Sequence, residues 1–435
     1  MVRRMAASPV SKVWKAFKEL IFCQVLLAVV FLTSGLVVDV IQGVLYVTIR
    51  PFNPALYRKV NYYVTYTLNS QIVFLVEWWS QSKCQLYIDP QDGEKYFGKE
   101  HAILLLNHTY EIDWVMGWLV CDRYGVLGNA RVYVKKILAY APVLGWSWKF
   151  QEIVFLERDW EQDKRNLGGQ LNNLVNYPDP MWLTLFPEGT RFTPKKHAAS
   201  MEVARQKGLP ELKHHLLPRT RGFVASLPHL REKVPALYDI LVAIDPKCKN
   251  EPSMYSIMKG REVRSKIMMR RYPMSEVPED EKEAIDWLHK RYQEKDVLLD
   301  NFLRTGEFLS KEQKALPEYQ NFQYVELPRR PYSITNFSSW SFVILIPLMW
   351  YLYTVFTSGN YLKMGIVLAL VVAANMGLMK LIDLTRIDKG SSYGQQQQQQ
   401  QENNSESDSS NQEEEPVAII KPITNGVSNG KAKVH

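Results

Sequence analysis

A histidine and an aspartate that follow a short apolar run have the types and spacing of a general base and its orienting partner. The run AILLL (102–106) leads into NHTYEID (107–113), which contains His108 and Asp113. An Asp that accepts a hydrogen bond from one imidazole nitrogen fixes the tautomer, and the other nitrogen can then remove a proton near neutral pH. At this spacing the two side chains cannot share a helical face. We therefore predict His108 in the turn that leaves a strand and Asp113 in the first turn of the next helix.

Two plainer interpretations of the same residues are open. Asn107 or Thr109 could cap the following helix while the charged side chains are simply solvated. A metal site made of His108, Asp113 and a third ligand is poorly supported, because no second His lies at ligand spacing.

A second polar group follows the apolar run MWLTLF (181–186). Within FPEGTR (186–191), Gly189 permits a tight turn, Thr190 offers a hydroxyl, and Arg191 presents a fork of donors suited to a phosphate. Taken alone, this segment could be an ordinary loop.

Other basic residues follow apolar runs in the same way. Lys135 and Lys136 come after RVYV (131–134), and Arg158 comes after IVFL (153–156). Each is most simply a solvated charge. Together with Arg191 they form three basic loci that follow predicted strands, as a phosphorylated substrate would need.

The elements that must position these residues lie between residues 80 and 330, where apolar runs alternate with helix-length amphipathic stretches. The runs that predict strands are AILLL (102–106), RVYV (131–134), IVFL (153–156), MWLTLF (181–186) and YDILVAI (238–244). Residues 158–176 and 279–304 have helical spacing. This alternation predicts an α/β fold with a mixed, largely parallel sheet covered by helices. The polar residues would then lie at the carboxyl ends of its strands, where open α/β sheets place their sites.

These segments resemble, in the same order, five sequence blocks of the glycerophospholipid acyltransferases. NHTYEID matches the NHxxxxD block, and FPEGTR matches the block of the same sequence, with Glu188 80 positions after His108. The other three are VYVKKILAYAPVLGW (132–146), similar to a lysine-rich block, IVFLER (153–158), similar to G-x-x-F-[IL]-x-R, and VPALYD (234–239), similar to a final V-P block. The chain departs at Glu152, where the block usually has Gly, which leaves the local backbone there open. The chain as a whole most resembles the eukaryotic endoplasmic-reticulum acyltransferases that act on 1-acyl-sn-glycerol-3-phosphate.

The resemblance implies transfer of a fatty acyl group from acyl-CoA to the sn-2 hydroxyl of lysophosphatidic acid, which gives phosphatidic acid and CoA. His108 would act as the general base, with help worth about 10²–10⁴ in rate, and Asp113 would orient it. The residues implied in substrate binding are Asn107, Lys135, Lys136, Arg158, Glu188, Gly189, Thr190 and Arg191. No acyl-enzyme is required, since the thioester is already activated, and the resemblance implies no metal or cofactor.

Both ends of the sequence carry apolar stretches of membrane-spanning length. Nineteen uncharged residues lie between Glu19 and Asp39, and a bilayer core takes about 20 apolar residues as a helix. Residues 60–76 could be a second span, an interfacial helix or a buried helix. Near the other end, two apolar stretches joined by TSGN (357–360) predict a membrane hairpin. The predicted domains are an N-terminal membrane region (1–80), a catalytic domain (81–330), the hairpin (331–386) and a polar tail (387–435).

The hairpin and the tail together predict the location of the protein. A hairpin that crosses twice puts the catalytic domain and the tail on one side, the cytosol, where acyl-CoA is made. The basic N-terminus is also cytosolic by the positive-inside tendency, so either 60–76 returns the chain or residues 20–49 form a broken hairpin near Ser34-Gly35. The Gln-rich tail predicts disorder, and its ending, with Lys431 and Lys433, resembles the dilysine signals by which coat proteins retrieve membrane proteins to the endoplasmic reticulum. We therefore expect a multi-pass protein of the endoplasmic reticulum membrane.

Composition excludes several classes of protein and narrows the choice of partner. Of the 435 residues, 46% are hydrophobic, which excludes a disordered or fibrous chain, and the four separated Cys exclude a disulfide scaffold. Residues 389–435 carry four Lys and six acidic residues, so the rest of the chain holds an excess of ten positive charges. This positively charged part of the chain suits an anionic partner, and the resemblance points to lipid and acyl-CoA rather than nucleic acid. No GxGxxG or GxxxxGK[ST] loop occurs, which argues against nucleotide hydrolysis.

Two rival functions are consistent with the sequence. A relative that acylates glycerol 3-phosphate, lysocardiolipin or another lysophospholipid would use the same His108 and Asp113. A non-catalytic membrane scaffold with a partner-recruiting tail is the alternative from a different class. The intact pair beside an intact FPEGTR segment argues against the scaffold, which would need neither.

Overall fold

The computed structural model describes residues 9–385, which form an α/β sheet with long helices before and after it. The strands are β1 (Lys83–Ile88), β2 (Ala102–Leu106), β3 (Ala130–Lys135), β4 (Val154–Leu156), β5 (Trp182–Leu185), β6 (Ala236–Ile244), β7 (Arg264–Pro273) and β8 (Gln323–Val325). The helices are α1 (Pro9–Lys18), α2 (Ile21–Thr48), α3 (Pro54–Phe74), α4 (Pro90–Lys95), α5 (Asp113–Arg123), α6 (Leu144–Phe150), α7 (Trp160–Leu174), α8 (Pro194–Gln206), α9 (Thr220–Leu230), α10 (Met254–Met258), α11 (Glu281–Thr305), α12 (Lys311–Lys314), α13 (Tyr332–Thr357) and α14 (Tyr361–Thr385).

The sheet of the described residues has eight strands in the order β4-β3-β5-β2-β6-β7-β1-β8. The five strands from β4 to β6 are parallel to their neighbours. β7 is antiparallel to β6, β1 is parallel to β7, and β8 is antiparallel to β1. The predicted mixed, largely parallel sheet covered by helices is thus confirmed.

Strand register aligns the ends of the central strands. Ala102 of β2 pairs with Trp182 of β5 on one side and with Ala236 of β6 on the other. Because these strands run in the same direction, the segments that follow β2 and β5 leave the sheet at the same edge. The predicted catalytic and phosphate-binding segments are therefore neighbours in space.

Alternate residues of β2 pack into separate cores on the two faces of the sheet, as the two-residue period of a strand requires. Leu104 and Leu106 face the core that contains α5 and the buried face of α3. Ile103 and Leu105 face the core formed with α7, α9 and α11. The sequence of β2 is apolar at every position because both faces are covered.

The helices α2 and α3 pack together through a polar seam. Gln42 of α2 donates to the side chains of Asn61 and Thr65 of α3, over 2.9 and 3.1 Å. Residues 21–48 form a single unbroken helix, so the alternative of a broken hairpin near Ser34-Gly35 is wrong. The chain turns at residues 49–53 and returns through α3.

Two of the described helices are long and apolar enough to cross a membrane by length and composition: α2 and α13. Residues Tyr361–Leu370 of α14 form a shorter apolar stretch. The helices α13 and α14 are joined at residues 358–360, where the sequence predicts the turn of a hairpin. The predicted polar tail, with Lys431 and Lys433, lies outside the described residues.

Candidate active site

His108 and Asp113 meet at the carboxyl end of β2, as their spacing predicts. His108 lies in the turn after the strand, and Asp113 is the first residue of α5. His108 Nδ1 lies 3.4 Å from Asp113 Oδ2, and the same oxygen accepts a hydrogen bond of 2.7 Å from the backbone of Tyr110. The His–Asp separation is long for a hydrogen bond, and such contacts commonly tighten when substrate binds. With Nδ1 turned to the carboxylate, Nε2 is the nitrogen left for a substrate.

The backbone of His108 is held by the segment that follows β5. The His108 amide donates to Glu188 Oε1 over 2.8 Å, and its carbonyl accepts from the amide of Phe192 over 2.9 Å. The imidazole ring lies 4.4 Å, centroid to centroid, from the ring of Phe186. The two predicted chemical segments are therefore parts of one site.

Glu188 and Asn107 use their side chains to hold the catalytic turn. Glu188 is buried, and its second oxygen accepts from the amide of Leu216 over 3.2 Å. Burial raises the pKa of Glu188, against the opposing effects of the His215 charge and the two amides. Asn107 Oδ1 accepts from the amide of Val242 over 2.8 Å, and its Nδ2 donates to the Val242 carbonyl over 3.0 Å, which ties the turn to β6. Both residues thus bind the protein's own backbone.

Positive side chains surround the segment after β5. We use the name basic cluster for Lys135, Arg158, Arg191, Lys196 and Arg219. Burial, Arg158, Lys196 and Arg191 together lower the pKa of Lys135 to about 8. Burial lowers the pKa of Lys196, and the charges of Arg158, Arg191 and Arg219 add to the shift. Such mutual effects require like charges that lie close together, which is the arrangement of an anion-binding site.

Specific contacts join the basic cluster to the turn at residues 187–191. Arg158 Nη2 donates to the carbonyl of Gly189 over 3.3 Å, and Lys196 Nζ donates to Thr190 Oγ1 over 2.9 Å. Gly189 has a φ of +67°, and a Cβ there would lie 2.9 Å from Cδ of Arg219. The position therefore needs glycine for both its backbone and the close approach of Arg219.

Arg158 and Lys136 differ in where the structure directs them. Arg158 has a φ of +69°, and its amide donates to Asp163 in the first turn of α7 over 3.1 Å. Lys136 forms an ion pair with Glu157 and is half exposed, with 52% of its side chain accessible. Lys135 is the last residue of β3, whereas Lys136 begins the turn that follows and pairs with Glu157 instead of joining the cluster.

Burial and two residues of the basic cluster both lower the pKa of His108. Burial, together with the charges of Arg191 and Lys196, lowers the pKa of His108 to about 3. Burial raises the pKa of Asp113 well above its usual value, although the amides of Tyr110 and Thr109 and the charge of Arg191 oppose it. The imidazole is therefore neutral near pH 7 and able to accept a proton.

Helix α11 supports the catalytic turn from the other side of the sheet. The buried Lys295 donates to the carbonyls of Leu105 and Ile240 over 2.7 and 3.0 Å, and the hydroxyl of Tyr292 donates to the carbonyl of Leu106 over 3.2 Å. Asp296 accepts from His215 Nδ1 over 3.0 Å and from two backbone amides of the same loop. That loop leads to Leu216, which donates to Glu188.

Sequence reasoning missed Lys196, Arg219 and the three residues of α11. Lys196 lies five residues after Arg191, inside the start of α8, and a basic residue so close to the phosphate-type motif was a usable signal. Arg219 and the α11 residues reach the site only through the tertiary fold. Among the residues that the structure describes, no three His, Cys, Asp or Glu side chains lie together as a metal site would require.

Comparison with known proteins identifies two matching family models and several close relatives. The family model described as Acyltransferase matches residues 89–228, and the one described as Acyltransferase C-terminus matches residues 256–340. The chain is 44% identical over 371 residues to 1-acyl-sn-glycerol-3-phosphate acyltransferase gamma of Homo sapiens, which covers 85% of this chain and 94% of the relative. It is 41% identical over 377 residues to 1-acyl-sn-glycerol-3-phosphate acyltransferase delta of Rattus norvegicus, which covers 87% of this chain and 96% of the relative.

A solved structure also matches this chain. It is the crystal structure of the 1-acyl-sn-glycerophosphate (LPA) acyltransferase PlsC from Thermotoga maritima, with a TM-score of 0.33 and 12% sequence identity. The match covers 61% of this chain and 95% of that one.

Proposed function

Because this chain belongs to the 1-acyl-sn-glycerol-3-phosphate acyltransferase family, we propose that it transfers a fatty acyl group from acyl-CoA to the sn-2 hydroxyl of lysophosphatidic acid. The products are phosphatidic acid and CoA. The observation that carries the proposal is the contact of His108 Nδ1 with Asp113 Oδ2, 3.4 Å apart, beside the basic cluster at one end of the sheet.

The proposed reaction uses His108 as its general base. Nε2 accepts the proton of the sn-2 hydroxyl as that oxygen attacks the thioester carbonyl, and Asp113 orients the ring and stabilises the imidazolium. CoA leaves as its thiolate and takes the proton from the His108 imidazolium, which returns His108 to its neutral form. No acyl-enzyme intermediate is needed.

The basic cluster holds the phosphate of the acceptor in this proposal. Arg191, Lys135 and Arg158 supply charge, Gly189 and Thr190 supply the turn, and we add Lys196 and Arg219 to the predicted set. A phosphate bound to Arg191 and Lys196 would offset two of the charges that lower the pKa of His108. Acceptor binding would therefore strengthen the base at the moment it is needed.

We assign Glu188 and Asn107 a positioning role, since their hydrogen bonds to His108 and Val242 support the turn that carries the base. Lys136, paired with Glu157, is given no direct part in phosphate binding.

Membrane association of the enzyme is supported by the two apolar helices α2 and α13. We propose that it is a multi-pass protein of the endoplasmic reticulum, with the catalytic domain and the tail in the cytosol. Retrieval by coat proteins through Lys431 and Lys433 is part of the same proposal.

The test is an acyl-transfer assay on membranes from cells that express the chain, with membranes carrying His108→Ala as the matched control. Lysophosphatidic acid, glycerol 3-phosphate, lysocardiolipin and a lysophospholipid with a larger headgroup are offered in parallel with labelled acyl-CoA. We expect the fastest His108-dependent transfer to lysophosphatidic acid. Faster transfer to another acceptor would mean that this acceptor is the substrate. No His108-dependent transfer to any of the four would refute the proposed acyltransferase activity.

A further inference from the structure

Glu111 is a buried carboxylate in the turn that carries His108. It lies between β2 and α5, two residues before Asp113, and 6% of its surface is exposed. A buried carboxylate is costly unless cations or hydrogen-bond donors face it, so such a residue needs partners. The proton transfer proposed for His108 and Asp113 does not involve Glu111.

The segment that follows β6 supplies one partner of Glu111. Glu111 Oε1 accepts a hydrogen bond of 3.3 Å from the amide of Met254, the first residue of α10. The cap of that helix is a different residue, Ser253, whose side chain accepts from the amide of Ser256 over 3.2 Å. A fixed backbone donor therefore holds the carboxylate of Glu111 from one side.

Arg191 is brought to the same turn by the pairing of β2 with β5. The amide of Phe192 donates to the carbonyl of His108 over 2.9 Å, and Lys196 Nζ donates to the carbonyl of Arg191 over 3.4 Å. Both bonds hold the peptide group between residues 191 and 192 in place. The side chain of Arg191 thus starts from a fixed point beside the turn that contains Glu111.

The charge of Glu111 acts on Arg191. Burial lowers the pKa of Arg191, and the charge of Glu111 opposes this more strongly than the charge of Asp113 does. Asp113 is already engaged, since its Oδ2 contacts His108 and accepts from the amide of Tyr110. Glu111 is therefore the carboxylate best placed to hold the guanidinium.

A guanidinium can bind two anions at once. It has five N–H donors on a planar fork, enough for a carboxylate on one edge and a phosphate on another. A carboxylate on the first edge fixes the rotation of the fork. The second edge is then ordered before the phosphate arrives, which removes part of the entropic cost of binding.

We propose that Glu111 is a positioning residue that orients the guanidinium of Arg191 for the phosphate of the acceptor. The inference rests on the proposed function in taking that phosphate as the ligand of Arg191. Glu111 acts here through its length and its acceptor oxygens, because a negative charge beside a phosphate would by itself weaken binding. Substitutions that change length and charge separately can therefore test the proposal.

The first experiment measures phosphate binding without catalysis. Glycerol 3-phosphate is titrated against the detergent-solubilised full chain, and the rise in Tm gives its Kd. Glu111→Asp keeps the charge but is one methylene shorter, and it should raise this Kd about ten-fold, as expected for the loss of one charge-assisted hydrogen bond. Glu111→Gln keeps the length and an acceptor oxygen, so its Kd should stay within about three-fold of the parent. Glu251→Gln removes a charge from an exposed position before α10 and is the matched control, which should bind like the parent.

The pattern across the variants decides the inference. Weaker binding by Glu111→Gln alone would mean that Glu111 acts through its charge. Equal loss in both variants would mean that Glu111 only supports the fold of the turn, and parent-like binding in both would mean that it has no role. Each of these three results would overturn the proposal.

A double variant tests whether Glu111 acts through Arg191. Arg191→Lys removes the fork, so adding Glu111→Asp to it should cause no further loss of binding. A further loss would overturn the proposal, since Glu111 would then act through another group.

The second experiment uses the transfer reaction. Glu111→Asp should raise the KM for lysophosphatidic acid about ten-fold and leave kcat and the KM for acyl-CoA near those of the parent, because the phosphate contact is the same in ground and transition states. A fall in kcat with unchanged KM would contradict a role at Arg191. The expected Kd pattern without any transfer to lysophosphatidic acid would remove the proposed function and leave the inference standing. Transfer to lysophosphatidic acid without that Kd pattern would remove the inference and leave the function.

Discussion

Replacement of Glu152 by Gly should destabilise this protein, although glycine is the residue that the family usually has there. Glu152 has a φ of +56°, which is the left-handed conformation that favours glycine. Its carboxylate is almost buried and pairs with Arg58 over 2.8 Å and with Arg50 over 3.1 Å. These pairs join α3, and the turn before it, to the segment that leads into β4. Glu152 therefore has a strained backbone conformation, but its side chain forms ion pairs that a glycine could not make.

The size of the effect follows from the two opposing terms. Glycine would relieve about 1–2 kcal/mol of left-handed strain. It would also leave Arg58, which is 7% exposed, without its carboxylate, and breaking a buried pair in this way costs about 3–5 kcal/mol. The net loss is about 1–4 kcal/mol, because the second term is larger. Arg50 is 31% exposed, so its own pair adds little.

Thermal unfolding of the detergent-solubilised protein measures this loss. A domain of this size loses about 2–4 °C of Tm per kcal/mol, so Glu152→Gly should unfold several degrees below the parent. The double variant Glu152→Gly, Arg58→Met should recover most of the loss, since it also removes the unpaired charge. Arg50→Met is the matched control and should change Tm little. A single Glu152→Gly variant as stable as the parent, or more stable, would refute the balance of terms.

Acid should weaken the ion pairs of Glu152 with Arg58 and Arg50. Burial raises the pKa of Glu152, but the hydrogen bonds and charges of Arg58 and Arg50 more than reverse this, so its pKa is lowered overall. A lowered carboxyl pKa contributes stability above the unfolded value, and that stability is lost as the pH falls through the folded value. The Tm difference between the parent and Glu152→Gly should therefore shrink at acidic pH.

Four further outcomes test the site. His108→Ala should abolish acyl transfer by purified enzyme of normal Tm, and Asp113→Asn should lose most of it because an amide can hold the wrong imidazole tautomer; appreciable activity in either would remove the base mechanism. Arg191→Lys should raise the KM for lysophosphatidic acid by about ten- to a hundred-fold and that for acyl-CoA far less, whereas the reverse would mean that Arg191 faces CoA. Burial, Arg191 and Lys196 lower the pKa of His108 to about 3, so protonation of His108 should cause no loss of kcat/KM in the free enzyme near pH 6.5. Lys196→Met should raise this pKa, which would move the acidic limb of the pH profile to higher pH. Asp296→Ala should lower kcat more than either KM, with partial rescue by Asp296→Asn; a pure loss of Tm would show that Asp296 is only structural.

The central strands were predictable because burial on both faces leaves a simple mark on the sequence. β2, β5 and β6 are nearly continuous apolar runs, and each was identified from its run alone. β1 and β7 were missed because neither strand is a continuous apolar run. β7 (RSKIMMRRYP) carries four basic residues, three of which are neutralised or bonded by partners that are distant in sequence, among them Glu100 and Glu294. No local pattern marks such a strand.

The catalytic pair was predictable because the end of a strand, a turn and the start of a helix fall within eight residues, 106–113. The roles of Glu188 and Asn107 were harder to predict, since a motif shows which residues recur and not what they contact. Glu188 carries a charge next to a phosphate-type arginine, which suggests substrate binding. Its burial and its bonds to two backbone amides become visible only when β2 and β5 are brought side by side.

No local sequence pattern shows that the turn carrying His108 depends on α11. From sequence, residues 279–304 are an ordinary amphipathic helix, in which Lys295 would be assigned to solvent. In the fold its ammonium is buried beneath the ends of β2 and β6, where it bonds two carbonyls and pairs with Asp239 over 2.9 Å. A buried lysine without such partners would be costly, so the helix and the strand ends require one another. It follows that a chain cut before α11 would lose the geometry of His108 even though every residue of both chemical motifs was still present.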